Sequence, residues 1–154
     1  MHNTPPNSAA PLLPLSSLTS TTAPQQVRLL FAALWTFLMF NYLYADVMSL
    51  MDPALLPQYL KGDIDGMVIT PTFLLVAAFL MELPIAMVLL VFLLPYRWMR
   101  WANVAAGALK TAAMTATFFV GTPALYYVFF GAIEIPVSTF IVYLAWRWKT
   151  PPTS

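Results

Sequence analysis

Hydrophobic residues in this chain fall into four long runs, at about Val27–Met51, Ile69–Leu94, Trp101–Val120 and Ala124–Trp146. Each is roughly 20 residues or more, enough helix to cross about 30 Å of hydrocarbon. A membrane β-barrel would instead alternate in segments of about ten residues. The pattern therefore predicts an all-α membrane protein. Four transmembrane helices form one bundle over residues 26–149.

Polar stretches separate the runs. Residues 1–25 are rich in Pro, Ser, Thr and Asn and read as a disordered tail, not as a signal peptide. Residues 150–154 form a short polar tail. Between the first two runs, Leu55, Leu56, Tyr59 and Leu60 have helical spacing and predict a short interfacial helix. Gly62–Gly66 offers only Asp63 and Asp65, too few carboxylates for a calcium loop. Tyr96–Trp101 reads as a basic, aromatic loop at the headgroups.

Two runs share a motif. Thr70-Pro71 is followed by Glu82-Leu83-Pro84, and Thr122-Pro123 by Glu134-Ile135-Pro136, at one constant offset of about 52 positions. This predicts two parallel two-helix repeats, related by an axis along the membrane normal.

Composition sharpens the class. The chain is 60% hydrophobic and 8% charged, against about 25% charged in soluble domains. Cysteine is absent, which excludes disulfides and thiolate metal sites, and the one histidine is His2, in the tail. No cofactor, no metal, no enzymatic activity and no nucleic-acid partner are expected. Arg28, Arg97, Arg100, Arg147 and Lys149 fall on one side of the runs, so the positive-inside rule puts both termini in the cytoplasm. Trp98, Trp101, Trp146 and Trp148 form the belt on that side. Asp46 falls roughly 27 Å past Arg28, near the far interface, and is expected to be wetted. Tyr42, Tyr44, Tyr126 and Tyr127 are expected to anchor that interface.

Glu82, Lys110 and Glu134 lie near mid-depth and predict a Glu–Lys–Glu cluster. A charged residue facing lipid there costs about 2.5–3.5 kcal/mol, which pairing inside the bundle avoids. Pro84 and Pro136 free the carbonyls of Leu80 and Ala132 close to the two acids. Asn103, Gly107, Lys110, Met114 and Thr117 share one face of the third helix. Asn41, Asn103 and Thr117 are thus candidate pocket residues beside the cluster. Such a cluster either fixes helix register, binds a proton, ion or small molecule, or is completed by another subunit.

Leu34-Trp35-Thr36-Phe37, Asn41, Ala45-Asp46, Met51-Asp52-Pro53, Glu82-Leu83-Pro84-Ile85-Ala86-Met87, Arg100-Trp101-Ala102-Asn103 and Ile133-Glu134-Ile135-Pro136 carry a resemblance. Over about Arg28–Lys149 the chain resembles an uncharacterised family of small bacterial four-helix membrane proteins, loosely similar to DoxX-like proteins. The resemblance implies a bacterial inner-membrane protein of the kind that partners oxidoreductases. Three functions are expected, in this order. They are a midplane pocket for a proton or small molecule, an accessory or assembly subunit of a larger complex, and a proton-coupled exporter. The lipid bilayer, other membrane subunits and a second copy of the chain are the expected partners.

Overall fold

The computed structural model describes residues 23–64, 66–119 and 123–148. The expected tail is outside them as far as residue 22, and residues 150–154 are outside them entirely. Five helices occur among the described residues: α1 (Ala23–Met51), α2 (Leu56–Lys61), α3 (Pro71–Leu93), α4 (Tyr96–Thr117) and α5 (Leu125–Arg147). Strands β1 (Asp63–Ile64) and β2 (Met67–Val68) pair antiparallel, Asp63 opposite Val68.

Local chemistry sets the boundaries. Asp52 ends α1 by accepting the Ala54 N–H on Oδ1 at 2.8 Å. Gly62 closes α2 in the left-handed conformation, φ 73°, which a glycine adopts without a Cβ penalty. Thr70 caps α3, its hydroxyl accepting the Phe73 N–H at 3.1 Å, and Pro71 sits at the first helical position. The expected loop at Tyr96–Trp101 is instead the start of α4. Leu94 is extended, as a residue before proline must be, and Pro95 has φ −63°, so helix resumes at once.

Side chains tie the ends together. Arg28 at the start of α1 donates to the carbonyls of Val91, Phe92 and Leu94 at the end of α3. A guanidinium with five donors suits a helix C-terminus, where carbonyls lack partners. Tyr96 donates to the Trp148 carbonyl and Arg100 to that of Trp146, joining the start of α4 to the end of α5. These contacts define a basic end. At the opposite, hairpin end, Tyr126 donates to Asp52 Oδ2 at 3.2 Å. The four long helices therefore run up and down, α1 against α3 and α5, α4 against α3 and α5.

Buried positions recur at alternating spacings of three and four. In α1 they include Phe31, Trp35, Leu38, Tyr42, Ala45 and Ser49; in α5 they are Gly131, Glu134, Ser138, Ile141 and Ala145. That spacing is the signature of helices packed nearly parallel. The apolar core fills the basic half, with Phe31, Trp35, Leu38, Met87, Val91, Met99, Ile141 and Ala145.

Three helical stretches, Gln25–Met51, Pro71–Leu93 and Leu125–Arg147, are long and apolar enough to cross a membrane. Helix α4, expected as a fourth such run, is not among them; Arg97, Arg100, Asn103 and Lys110 all belong to it. Two of its polar residues, Asn103 and Lys110, are buried on one face with Gly107 and Met114, while Arg97, Thr115 and Thr117 are exposed.

Helix α4 packs closely against α5 at Gly107. A Cβ there would lie 2.8 Å from Val142 Cγ2 and 3.2 Å from the Ser138 carbonyl. Gly107→Val should therefore cost about 1–3 kcal/mol through overpacking. The measurement is the unfolding midpoint in detergent. Ala105→Val, on an exposed position of the same helix, should leave the midpoint nearly unchanged.

Candidate functional site

Lys110 is the organising group. Its side chain leaves α4 into the bundle and is 4% exposed. The ammonium sits 3.6 Å from the centroid of the Tyr42 ring on α1, a cation–π contact. It also donates to the Leu80 carbonyl on α3 at 3.4 Å. That carbonyl is available because Pro84, four residues on, has no N–H to give it. One lysine thus joins three helices.

Glu134 projects from α5 and is 1% exposed. Both carboxylate oxygens are buried without a hydrogen-bond partner among the described residues. Lys110 and Glu134 are electrostatically coupled but share no hydrogen bond. The same field includes Tyr42, Asp46 and Tyr127. The Tyr42 hydroxyl is likewise buried and unpartnered. An ammonium, a carboxyl and a phenol with unused hydrogen-bonding capacity therefore occupy one region.

Its depth is consistent from every helix. Leu80 and Glu134 each lie about nine residues from the hairpin-end terminus of their helix, Tyr42 about nine and Lys110 about seven. At 1.5 Å per residue this is roughly 11–14 Å. The site sits near mid-depth, displaced toward the hairpin end.

The third expected member is elsewhere. Glu82 is exposed on α3. Residue 82 is about 200° around the helix from residue 80, so the turn that offers Leu80 to Lys110 directs Glu82 away. The inner face of α3 is built by Pro84, Met87 and Val91. Equivalent positions of the sequence motif do not share burial: Glu82 is exposed and Glu134 buried, Pro84 buried and Pro136 exposed. The two helices present different faces to the bundle.

The other candidates divide. Asn103 is fully buried, accepts the Trp35 indole N–H at 2.7 Å and donates to the Met99 carbonyl at 2.8 Å. It ties α4 to α1 nearer the basic end. Asn41 donates back to the Phe37 carbonyl on its own helix at 2.9 Å. Thr117 accepts from the Tyr127 hydroxyl at 3.1 Å at the hairpin end.

Four residues near the site are absent from the sequence expectation of a cluster. Tyr42, expected at the interface, lies under Lys110. Asp46, expected in water, is exposed yet within the field of Lys110 and Glu134. Ser138, one turn after Glu134, donates to its carbonyl at 2.7 Å and lies 2.8 Å from the Thr111 hydroxyl. The three-and-four spacing of Trp35, Leu38, Tyr42 and Ala45 was the available signal for Tyr42. Over this end lies α2, where burial pushes the Tyr59 phenol up against the opposing effect of a Ser49 hydrogen bond.

Residues 23–153 match the family of unknown function DUF6326. The chain belongs to this family. No curated protein and no solved structure matches it. Membership agrees with the expectation of an uncharacterised family and assigns no reaction.

The Trp35–Asn103 bond gives a direct check on this packing. Trp35→Phe leaves Asn103 Oδ1 buried and unpaired and should cost about 1–2 kcal/mol. Trp35→Phe with Asn103→Leu should recover most of that loss, since removing both partners strands neither. Unfolding midpoints in one detergent compare the variants.

Proposed function

We propose that the chain is an integral membrane protein whose polar site at Glu134, Lys110 and Tyr42 binds a proton or a small polar molecule. In this reading all four long helices cross the bilayer as two hairpins of like orientation, α4 included. Its charged and amide groups are tolerated because they face the bundle or lie at the headgroups. The basic end, with Arg28, Arg97, Arg100 and Arg147, faces the cytoplasm of a bacterial cell, and the membrane is the inner one.

One observation carries the reading. Glu134 is wholly enclosed and neither of its oxygens is hydrogen-bonded among the described residues. A group that fixed helix packing alone would be expected to pair with the nearby ammonium, because unpaired buried charge is costly. Lys110 is instead held by Tyr42 and Leu80, which leaves the carboxyl free to act on something else. Polar groups continue from the site toward the hairpin end through Asp46, Ser49, Tyr127 and Tyr126. Toward the basic end the buried polar side chains are already paired, Ser138 with Thr111 and Trp35 with Asn103, inside an otherwise apolar core. Access from the hairpin end follows. A proton-coupled exporter would use the same acid. An accessory subunit would rely on the outer face of α3 instead.

Infrared difference spectroscopy of the protein in lipid tests the assignment. Titration with pH should produce a carboxylic-acid carbonyl band that is lost in Glu134→Gln and kept in Glu82→Gln. No pH-dependent band assignable to Glu134, while the protein stays folded, would overturn the proton-binding reading. Native mass spectrometry of the same preparations tests the small-molecule form. A bound mass lost in Glu134→Gln supports it.

A further inference from the structure

Helix α3 carries an acid where a membrane helix tolerates it least. Glu82 is the middle residue of Pro71–Leu93 and points out of the bundle. Its flanking residues are not scattered. Leu75, Phe79, Glu82, Ala86, Leu89 and Leu93 follow one another at alternating spacings of four and three, so they form one stripe along the whole helix. Leu75, Phe79, Leu89 and Leu93 are 58%, 69%, 63% and 75% exposed. The stripe uses the same spacing as the buried seams of α1 and α5, but nothing among the described residues covers its Leu75, Phe79, Leu89 and Leu93.

A lipid chain offers Glu82 no hydrogen bond, and exposure to hydrocarbon costs about 2.5–3.5 kcal/mol. The basic residues of the described chain are no answer: Lys110 is turned inward, Arg28, Arg97, Arg100 and Arg147 lie at the basic end, and Lys61 lies on α2. A carboxylic acid is, however, self-complementary, with one O–H donor and an acceptor oxygen on the same group. A two-fold axis along the membrane normal brings identical residues together at identical depth. Only a second copy of this chain meets both conditions with no further residue.

We propose that α3 is a homodimer interface, the Leu75–Leu93 stripe forming a parallel seam with the two Glu82 carboxyls hydrogen-bonded to each other at its centre. A single polar group in an otherwise apolar seam fixes register and partner, as a buried asparagine does in soluble coiled coils. The interface uses the face of α3 opposite the Lys110 site and is independent of what Glu134 binds.

The natural absence of cysteine makes the test clean. Single variants Phe79→Cys and Leu89→Cys on the stripe, and Val76→Cys and Phe92→Cys on the exposed flanks, are oxidised in native membranes with a membrane-permeant reagent. Disulfide-linked dimer is expected at 79 and 89 and much less at 76 and 92. In the Leu89→Cys background, Glu82→Leu should weaken association about 5- to 30-fold, the range for one interhelical polar contact in lipid. Glu82→Gln, also a donor and acceptor, should retain it. Equal cross-linking on and off the stripe would overturn the proposal. So would linkage only to a different protein, or association untouched by Glu82→Leu.

Discussion

A single ammonium, held without a carboxylate, is the constraint from which the rest of this structure follows. Lys110 enters the bundle from α4 and finds a phenol ring on α1 and one carbonyl on α3. In a medium of low dielectric such a charge must be met by fixed dipoles or a ring face. The carbonyl is left without its helical donor because Pro84 has no N–H, which frees it for the ammonium. Three helices are therefore positioned by one side chain. The acid on the fourth is spared from neutralising it directly.

The two ends of the bundle do different work. At the basic end, Arg28, Tyr96 and Arg100 cap carbonyls that the helix termini leave open, and an apolar core closes behind them. At the hairpin end, Ser49, Asp52, Tyr126, Tyr127 and Thr117 keep a polar column running down toward Lys110 and Glu134. Between helices in lipid there is no hydrophobic gain to be had, since the tails are as apolar as leucine. Close approach at Gly107 and buried bonds such as Trp35 to Asn103 carry the specificity instead.

The outward Glu82 and the inward Glu134 are the same residue in a repeated motif with opposite surroundings. Under the two proposals, this divergence gives one acid to the inner site and the other to the outer face of α3. Facing in, the acid sits beside an ammonium and two phenols. Facing out, it meets whatever lies across the exposed surface of α3. The proposed dimer seam and the proposed binding site are the two consequences of one rotation about a helix axis.

Length and composition of the runs determined the helical, membrane-compatible class, and the caps at Thr70, Asp52 and Gly62 marked turns that local chemistry dictates. The inward face of α4 was legible as well. Asn103, Gly107, Lys110 and Met114 contrast with the rest of the helix, so its rotation is written into its own polarity. Helices α3 and α5 give no such signal, because apolar side chains surround them almost evenly. Which way each turned was decided by the neighbours they packed against, and with it which glutamate was buried. A uniformly apolar helix gains nothing in lipid from one rotation over another, so only the fit of tertiary contacts, here around Lys110 and Pro84, could choose.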